Sequence, residues 1–288
     1  MGLSRRALLS GLTTVSLAGC LRSSGANALT IGIVPDVDPD TAISKNTALA
    51  DYLESALGRP IELQTASEYA GLVQAMATDQ LSVAYFGGVS YMLAHERASA
   101  TPFVVGKRDG TTNWHTSCIV PSDAPQQSMA DVVESASSLE LVFGDPISTS
   151  GTVMPTYYFE TKFDLTPTTA FASVTHTGAH DATAKTVGAT DGTVGTLNAR
   201  IFERLREEDS ADTIREIWRS PGFVDYPWAV GPSVSASLRA DLQEAFTSLS
   251  PDEHEEILAS QNVDEYVSIS HEAFTSLETA VEMAGVDL

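Results

Sequence analysis

Up to residue 86, apolar and polar positions along this chain switch repeatedly between two periods. Residues 29–34 (LTIGIV) are a short apolar run that Pro35 stops, the pattern of a buried strand. Residues 47–57 place Leu49, Leu53 and Leu57 one helical turn apart, and Gly58 and Pro60 end that helix. A strand over 61–65, a helix over 69–78 and a strand over 81–86 follow, the last closed by Gly87 and Gly88. Strands alternating with helices predict a parallel α/β sheet. The pattern resumes with strands over 113–121, 139–143, 172–176 and 192–197, and helices over 128–135, 152–163, 181–187, 198–208 and 210–216. Extended stretches over 216–219 and 227–230 precede C-terminal helices over 234–249 and 251–259. No segment repeats another, and about 260 residues fit one large domain or two small ones.

Ahead of that body the chain carries an address. Arg5 and Arg6 precede an apolar run over 8–19, the arrangement of a twin-arginine export signal. The run is too short to span a bilayer. Leu17-Ala18-Gly19-Cys20 resembles a lipobox, in which Cys20 becomes the lipidated first residue once 1–19 are removed and 20–28 form a Ser/Gly/Ala tether. An ordinary signal peptide with a chance cysteine is the alternative. Cys20 and Cys118 are the two cysteines, so acylation of Cys20 leaves no intramolecular disulfide. Cys118, in an apolar run, reads as a small buried hydrophobe.

Charge excludes one class of partner. Sixteen Lys and Arg against 38 Asp and Glu give a net charge of −22, and lysine is confined to Lys45, Lys107, Lys162 and Lys185. The acids are scattered over apparent helix faces and turns, and such an acidic, lysine-poor surface resembles proteins of extreme halophiles. Nucleic-acid binding needs clustered Lys and Arg and is not expected. At multimolar salt the negative field is screened within a few ångströms, so an anion site is compatible with it.

The stretch with most chemistry is 143–158, FGDPISTSGTVMPTYY. Gly144, Asp145 and Pro146 stop the strand before it, and Pro155 fits only the first turn of the helix after it. Ser148, Thr149 and Ser150 therefore sit where a strand turns into a helix. They are ordinary helix caps, and the unpaired N–H groups beside them equally suit a tetrahedral oxyanion. His180, in a Gly-containing turn before a helix, is placed to donate a hydrogen bond. His176 lies four residues away, but Gly178 between them argues for a turn and no third ligand is near, so neither metal nor cofactor is expected. Asp36, Asp38 and Asp40 alternate like a calcium loop but include Pro39 and lack the required Gly and distal Glu; they read as a solvated loop at the cleft edge. Gly-x-Ser-x-Gly, Walker, GxGxxG and His-Glu-x-x-His signatures are absent, which argues against an enzyme.

The motif GDPxSTSGxxxPxYY resembles the core of the periplasmic phosphonate-binding proteins that serve ABC transporters. Residues 84–91 (AYFGGVSY), 178–181 (GAHD) and 217–221 (IWRSP) with Tyr226-Pro227-Trp228 resemble further motifs of that family, in its order. The resemblance implies a two-lobed, type II periplasmic-binding-protein-like α/β fold with two hinge crossings. Lobe one would hold 29–113 plus 226–288, and lobe two 114–225. It implies a haloarchaeal-type lipoprotein on the outer face of the cytoplasmic membrane, monomeric, working with an ABC permease and its ATPase. Phosphonate, phosphite or phosphate would be held by Ser148, Thr149, Ser150 and His180 and covered by the turn of Tyr85, Phe86 and Tyr91. Phe86 stands where the family often has a tyrosine. Aminophosphonate readers of the family carry acids near Asn198 and Tyr226, which here implies a ligand without an ammonium group, unless the adjacent Asp225 supplies the charge. A secreted enzyme on a phosphorylated or sulfonated compound, or a ligand-binding sensor module, are the alternatives.

Overall fold

The computed structural model describes residues 28–208 and 210–287. The expected export signal, Cys20 and all but the last residue of the tether lie outside the described residues. The described chain opens with strict alternation: β1 (Leu29–Ile33), α1 (Pro39–Leu57), β2 (Ile61–Thr65), α2 (Tyr69–Ala77), β3 (Val83–Tyr85), α3 (Gly88–Ala98) and β4 (Thr101–Lys107). After β5 (Asn113–Trp114) come β6 (Thr116–Pro121), α4 (Met129–Ser135), β7 (Glu140–Phe143), α5 (Met154–Phe163) and α6 (Pro167–Ala170). Next are β8 (Ser173–His176), α7 (His180–Ala189), β9 (Thr193–Asn198), α8 (Ala199–Glu207) and β10 (Ile214–Arg219). The chain returns through β11 (Phe223–Val224) and β12 (Pro227–Val230) to α9 (Ala236–Thr247), α10 (Pro251–Gln261), β13 (Glu265–Ser268) and α11 (Glu278–Met283).

These elements make two lobes, each built on a mixed sheet. The first has strand order β13-β4-β12-β3-β1-β2 and the second β10-β6-β9-β7-β8. β1 runs parallel to β2 and β3, while β12 is antiparallel to both β3 and β4. In the second sheet β7 is parallel to β8 and β9, and β6 is antiparallel to β9 and β10. The alternation thus forecast the parallel halves and missed the antiparallel additions, because the latter pair across long sequence separations. Between the sheets β5 and β11 pair antiparallel as a two-stranded ribbon, through which the chain leaves the first lobe and re-enters it.

Several local expectations are corrected. Strand β10 begins at Ile214, inside the stretch expected to be helical up to residue 216, because it pairs along β6 from Ile214↔Pro121 to Arg219↔Ser117, with a register shift between Glu216 and Trp218. Trp218 then meets Tyr158 and Phe163 edge-on, at 5.7 and 5.4 Å between ring centroids. The aspartate-rich loop is shorter than expected: α1 already begins at Pro39, with Asp38 Oδ1 accepting from Thr41 N–H at 3.1 Å. The Gly87-Gly88 turn leads straight into α3, which together with β4, β13 and α11 was not predicted. Cys118 is fully buried, as its apolar surroundings indicated.

Candidate functional site

The ends of six elements meet between the lobes, and the loop after β7 is the most tightly held of them. Asp145 Oδ1 accepts from Ile147 N–H at 2.9 Å, and its Oδ2 accepts from Tyr69 N–H at 3.3 Å, reaching the start of α2 in the other lobe. Ser148 Oγ accepts from Gly151 N–H at 3.1 Å and so caps a π-helical turn over Thr149–Val153 that precedes α5. Such turns recur at functional sites because the widened helix leaves backbone groups free to point outward. Gly151 is required: a Cβ there would stand 2.8 Å from Ser148 Oγ and 3.1 Å from His180 Cε1. Thr116 and Thr196 fix the turn from behind, donating to Ser150 O at 2.8 Å and Gly151 O at 2.7 Å.

The three hydroxyls separate in role. Ser148 is the cap. Thr149 Oγ1 crosses to the other lobe, accepting from Val89 N–H at 3.0 Å in the first turn of α3 and bonding Asp225. Ser150 Oγ accepts from Asn198 Nδ2 at 3.3 Å, while Asn198 Oδ1 caps α8 by accepting from Arg200 N–H at 2.9 Å and Ile201 N–H at 3.3 Å. His180 begins α7 and is 1 % exposed. Its backbone N–H donates to Asp36 O across the cleft at 2.9 Å. Its Nδ1 accepts from Asn198 N–H at 3.4 Å, which assigns the proton to Nε2, 3.3 Å from the Tyr226 hydroxyl. Burial pushes this imidazole down to about 3, so it acts as a neutral donor rather than a cation.

The expected aromatic cover is divided. Tyr85 lies against Tyr226 at 5.3 Å, and Tyr226 against Trp114 at 4.4 Å, making a wall at the ribbon where the lobes join. Tyr226 adopts φ +55°, a strained value for a side chain of this size, and Asp225 Oδ1 supports it by accepting its N–H at 3.0 Å. Phe86 is completely buried in the core behind the turn. Tyr91 points away: its hydroxyl meets His271 Nδ1 at 2.9 Å and its ring packs on Phe274. Neither lines the cleft. Two residues back along β3's exit the chain has already turned into α3, and helical geometry carries position 91 to the far face.

Of three further residues at this junction, the sequence does not single out Tyr69, places Asp36 only in a solvated loop at the cleft edge, and offers Asp225 only as a charge for an ammonium ligand. Tyr69, at the start of α2, is 1 % exposed and its hydroxyl lies beside Ser148. Asp225 is 1 % exposed; its Oδ1 accepts from Gly88 N–H at 2.5 Å, holding a carboxylate at the N-terminus of α3. Burial pushes it up to about 7, against the hydrogen bonds that favour its ionised form. Asp36 faces the cleft beside the Tyr226 hydroxyl and is pushed by burial up to about 6. No local signal marks Tyr69, since a Tyr before an apolar helix is common; Asp225 is marked only by its place beside the Tyr226-Pro227 motif, and only lobe packing brings the three together.

Two mixed sheets joined by a ribbon, with hydroxyls, an imidazole and helix N-termini converging between them, define a two-lobed periplasmic-type binding protein. The chain belongs to the family described as ABC transporter, phosphonate, periplasmic substrate-binding protein, which it matches over residues 31–274. It is 27% identical over 197 residues to the phosphonates-binding periplasmic protein of Escherichia coli K12, a match covering 67% of this chain and 58% of that one. Among solved structures, a binding protein component of an ABC phosphonate transporter from Pseudomonas aeruginosa superimposes with TM-score 0.83 at 23% identity, covering 90% of this chain and 87% of its own. PhnD1 of Prochlorococcus marinus in complex with methylphosphonate gives 0.82 at 21%, covering 91% and 99%. The family is one of transport substrate-binding proteins, not of enzymes.

Proposed function

We propose that this protein is the extracytoplasmic substrate-binding component of an ABC importer and captures a small phosphorus oxyanion between its lobes. The observation that carries the reading is the meeting, at one point, of the α3 N-terminus from one lobe with the Thr149–Val153 turn from the other. The Gly88, Val89 and Gly151 N–H groups are already bonded to Asp225, Thr149 and Ser148, so the N–H groups of Ser90, Thr149 and Ser150 would hold the anion's oxygens. Thr149 and Ser150 would donate from lobe two, His180 Nε2–H would add a neutral hydrogen bond, and Tyr69 would approach from lobe one. Asn198 would orient Ser150, and Tyr85 with Tyr226 would close the side of the site. The bodies that close are 29–113 with 226–288 and 114–225, moving about the β5–β11 ribbon. Capture and release need no covalent step. A permease and its ATPase are the partners this role requires, with the binding protein acting as a monomer.

Binding is testable by thermal shift in multimolar salt with phosphite, phosphate, methylphosphonate, sulfate and a sulfonate. A true ligand at about 100 times its Kd stabilises by roughly 2.7 kcal/mol, which raises Tm by about 5–10 °C. At least one phosphorus oxyanion is expected to do so. Stabilisation by the sulfur oxyanions alone would assign the cleft to another solute.

The same proposal includes a membrane anchor at Cys20, motivated by Arg5-Arg6 and Leu17-Ala18-Gly19-Cys20. One acyl chain holds weakly and two hold firmly, so the mature protein is expected in the membrane fraction. Cys20→Ser should leave it soluble or unprocessed. Membrane association unchanged by that substitution would remove the anchor from the proposal.

A further inference from the structure

Beside the oxyanion cradle, and separated from it by Asp36, Tyr85 and Tyr226, lies a cavity of about 310 Å³ lined by both lobes. That volume stands at the lower end of the range of about 300–1,000 Å³ typical of small-molecule sites. Its charge is out of character with the protein. In a chain of net charge −22 with 16 Lys and Arg, four of them line this one cavity: Lys45, Arg108, Arg200 and Arg204.

Part of that charge is already paired: Arg204 Nη1 bonds Glu208 at 3.1 Å, and Arg108 lies 3.6 Å from Asp109 and 3.8 Å from Glu203. Glu203 is also held by Arg219 at 2.6 Å, and Glu207 is solvent-exposed at the rim. Asp36 stands in the wall shared with the cradle, beside the Tyr226 hydroxyl. This leaves Lys45 and Arg200 as the lining cations without a carboxylate among the described residues. The Arg200 guanidinium is instead spread over the Trp114 ring, 3.9 Å from its centroid, and donates to Asn113 O at 3.0 Å.

A second, independent observation points to an occupant. Asn46 Oδ1, Trp114 Nε1 and Arg204 Nε are buried atoms without a hydrogen-bond partner, and all three residues line the cavity. Asn46 and Trp114 are each 5 % exposed. Buried polar atoms left unmatched cost about 1–3 kcal/mol each, and two of these three, Trp114 Nε1 and Arg204 Nε, are donors that an acceptor-bearing guest would relieve.

We propose that this cavity receives the organic arm of the ligand and that the arm ends in a carboxylate, making the substrate a carboxylated phosphonate rather than a bare oxyanion. The proposal rests on the cradle holding the phosphorus head. Lys45 faces the arm's negative end, and Trp114 Nε1 and Arg204 Nε are the unmatched donors available to it. Since these contacts form inside the cleft, they are screened by salt much less than surface pairs.

Titration calorimetry in one buffer at one salt concentration tests it with methylphosphonate, phosphonoacetate, 3-phosphonopropionate and 2-aminoethylphosphonate. At least one carboxylated probe is expected to bind about tenfold tighter than methylphosphonate, equivalent to about 1.4 kcal/mol. Lys45→Gln, and separately Arg204→Gln, should each reduce that ratio toward one. The ratio is internally controlled, because loss of folding removes binding of every probe, and the parent protein's preference decides even if a variant does not fold. Carboxylates no tighter than methylphosphonate would overturn the inference while leaving the cradle intact. Tightest binding of the amine would overturn it too and hand the arm to Asp36. If phosphite, phosphate and all four probes fail to bind, the cradle itself is misread and the inference falls with it.

Discussion

Asp225→Asn is expected to be more stable than the parent protein at pH 8, with the gap shrinking toward pH 4. The side chain is 1 % exposed, and its Oδ1 accepts from Gly88 and Tyr226 N–H groups, bonds that an amide oxygen can also accept. Burial raises the carboxyl from 3.8 to about 7 in the folded protein. Between those values the native state binds the proton and the unfolded state has lost it. The stability this group contributes is therefore present below about pH 4 and is lost as pH rises through 7. A shift of this size corresponds to a change on the order of 4 kcal/mol across pH 4–8. His180 acts in the opposite direction, since its pKa falls from 6.5 to about 3, but it is present in both proteins and cancels in their difference. Urea melts of both proteins at four pH values, without ligand, would show it. A gap that does not depend on pH would mean that Asp225 is ionised normally and acts only as a cap.

Thr149→Ala and Ser150→Ala are each expected to weaken oxyanion binding by about 1.5–3 kcal/mol, roughly one to two decades in affinity. Each removes a hydroxyl that the fold does not use to cap its own turn: Thr149 Oγ1 reaches Val89 across the cleft, and Ser150 Oγ faces Asn198. Ser148→Ala is the contrasting case, because Ser148 Oγ caps the turn through Gly151. It should cost about 1 kcal/mol of stability. Calorimetric titration with methylphosphonate beside urea melts distinguishes the two patterns. Binding unchanged within twofold in the Thr149 and Ser150 variants would place the anion elsewhere.

The strand over 139–143, its stop at Gly144-Asp145-Pro146 and the helix after Pro155 were legible because each depends on neighbours a few residues away. Apolar runs, helix-breaking residues and capping hydroxyls act over that range. So did the first strand–helix alternation, the position of His180 ahead of a helix, and the burial of Cys118. The loop's double meaning, cap or cradle, was legible only as an ambiguity. The structure divides it by sending Ser148 to Gly151 and Thr149 to the opposite lobe. Residues 210–216 were misread for the reverse reason: a short charged stretch has weak local preference, and pairing with β6 decided its conformation.

The sequence by itself determined the elements, the polar loop between β7 and α5, the acidic surface and the order of motifs that mark the family. Tertiary structure alone decided which distant residues share a cavity. Tyr69, Asp36 and Asp225 come from three separate segments and meet only because two sheets close on each other about the β5–β11 ribbon. Tyr91 left the cleft because α3 begins at Gly88 and turns it toward His271. Lys45 and Asn46 face Arg200 and Trp114 across the lobes, although nothing in their own neighbourhoods distinguishes them from surface and core positions of an ordinary helix. The physical reason is one of range. Backbone preference and hydrophobic period act between near neighbours, whereas desolvation, charge matching and hydrogen-bond satisfaction in a cleft are set by whatever the packed lobes bring together.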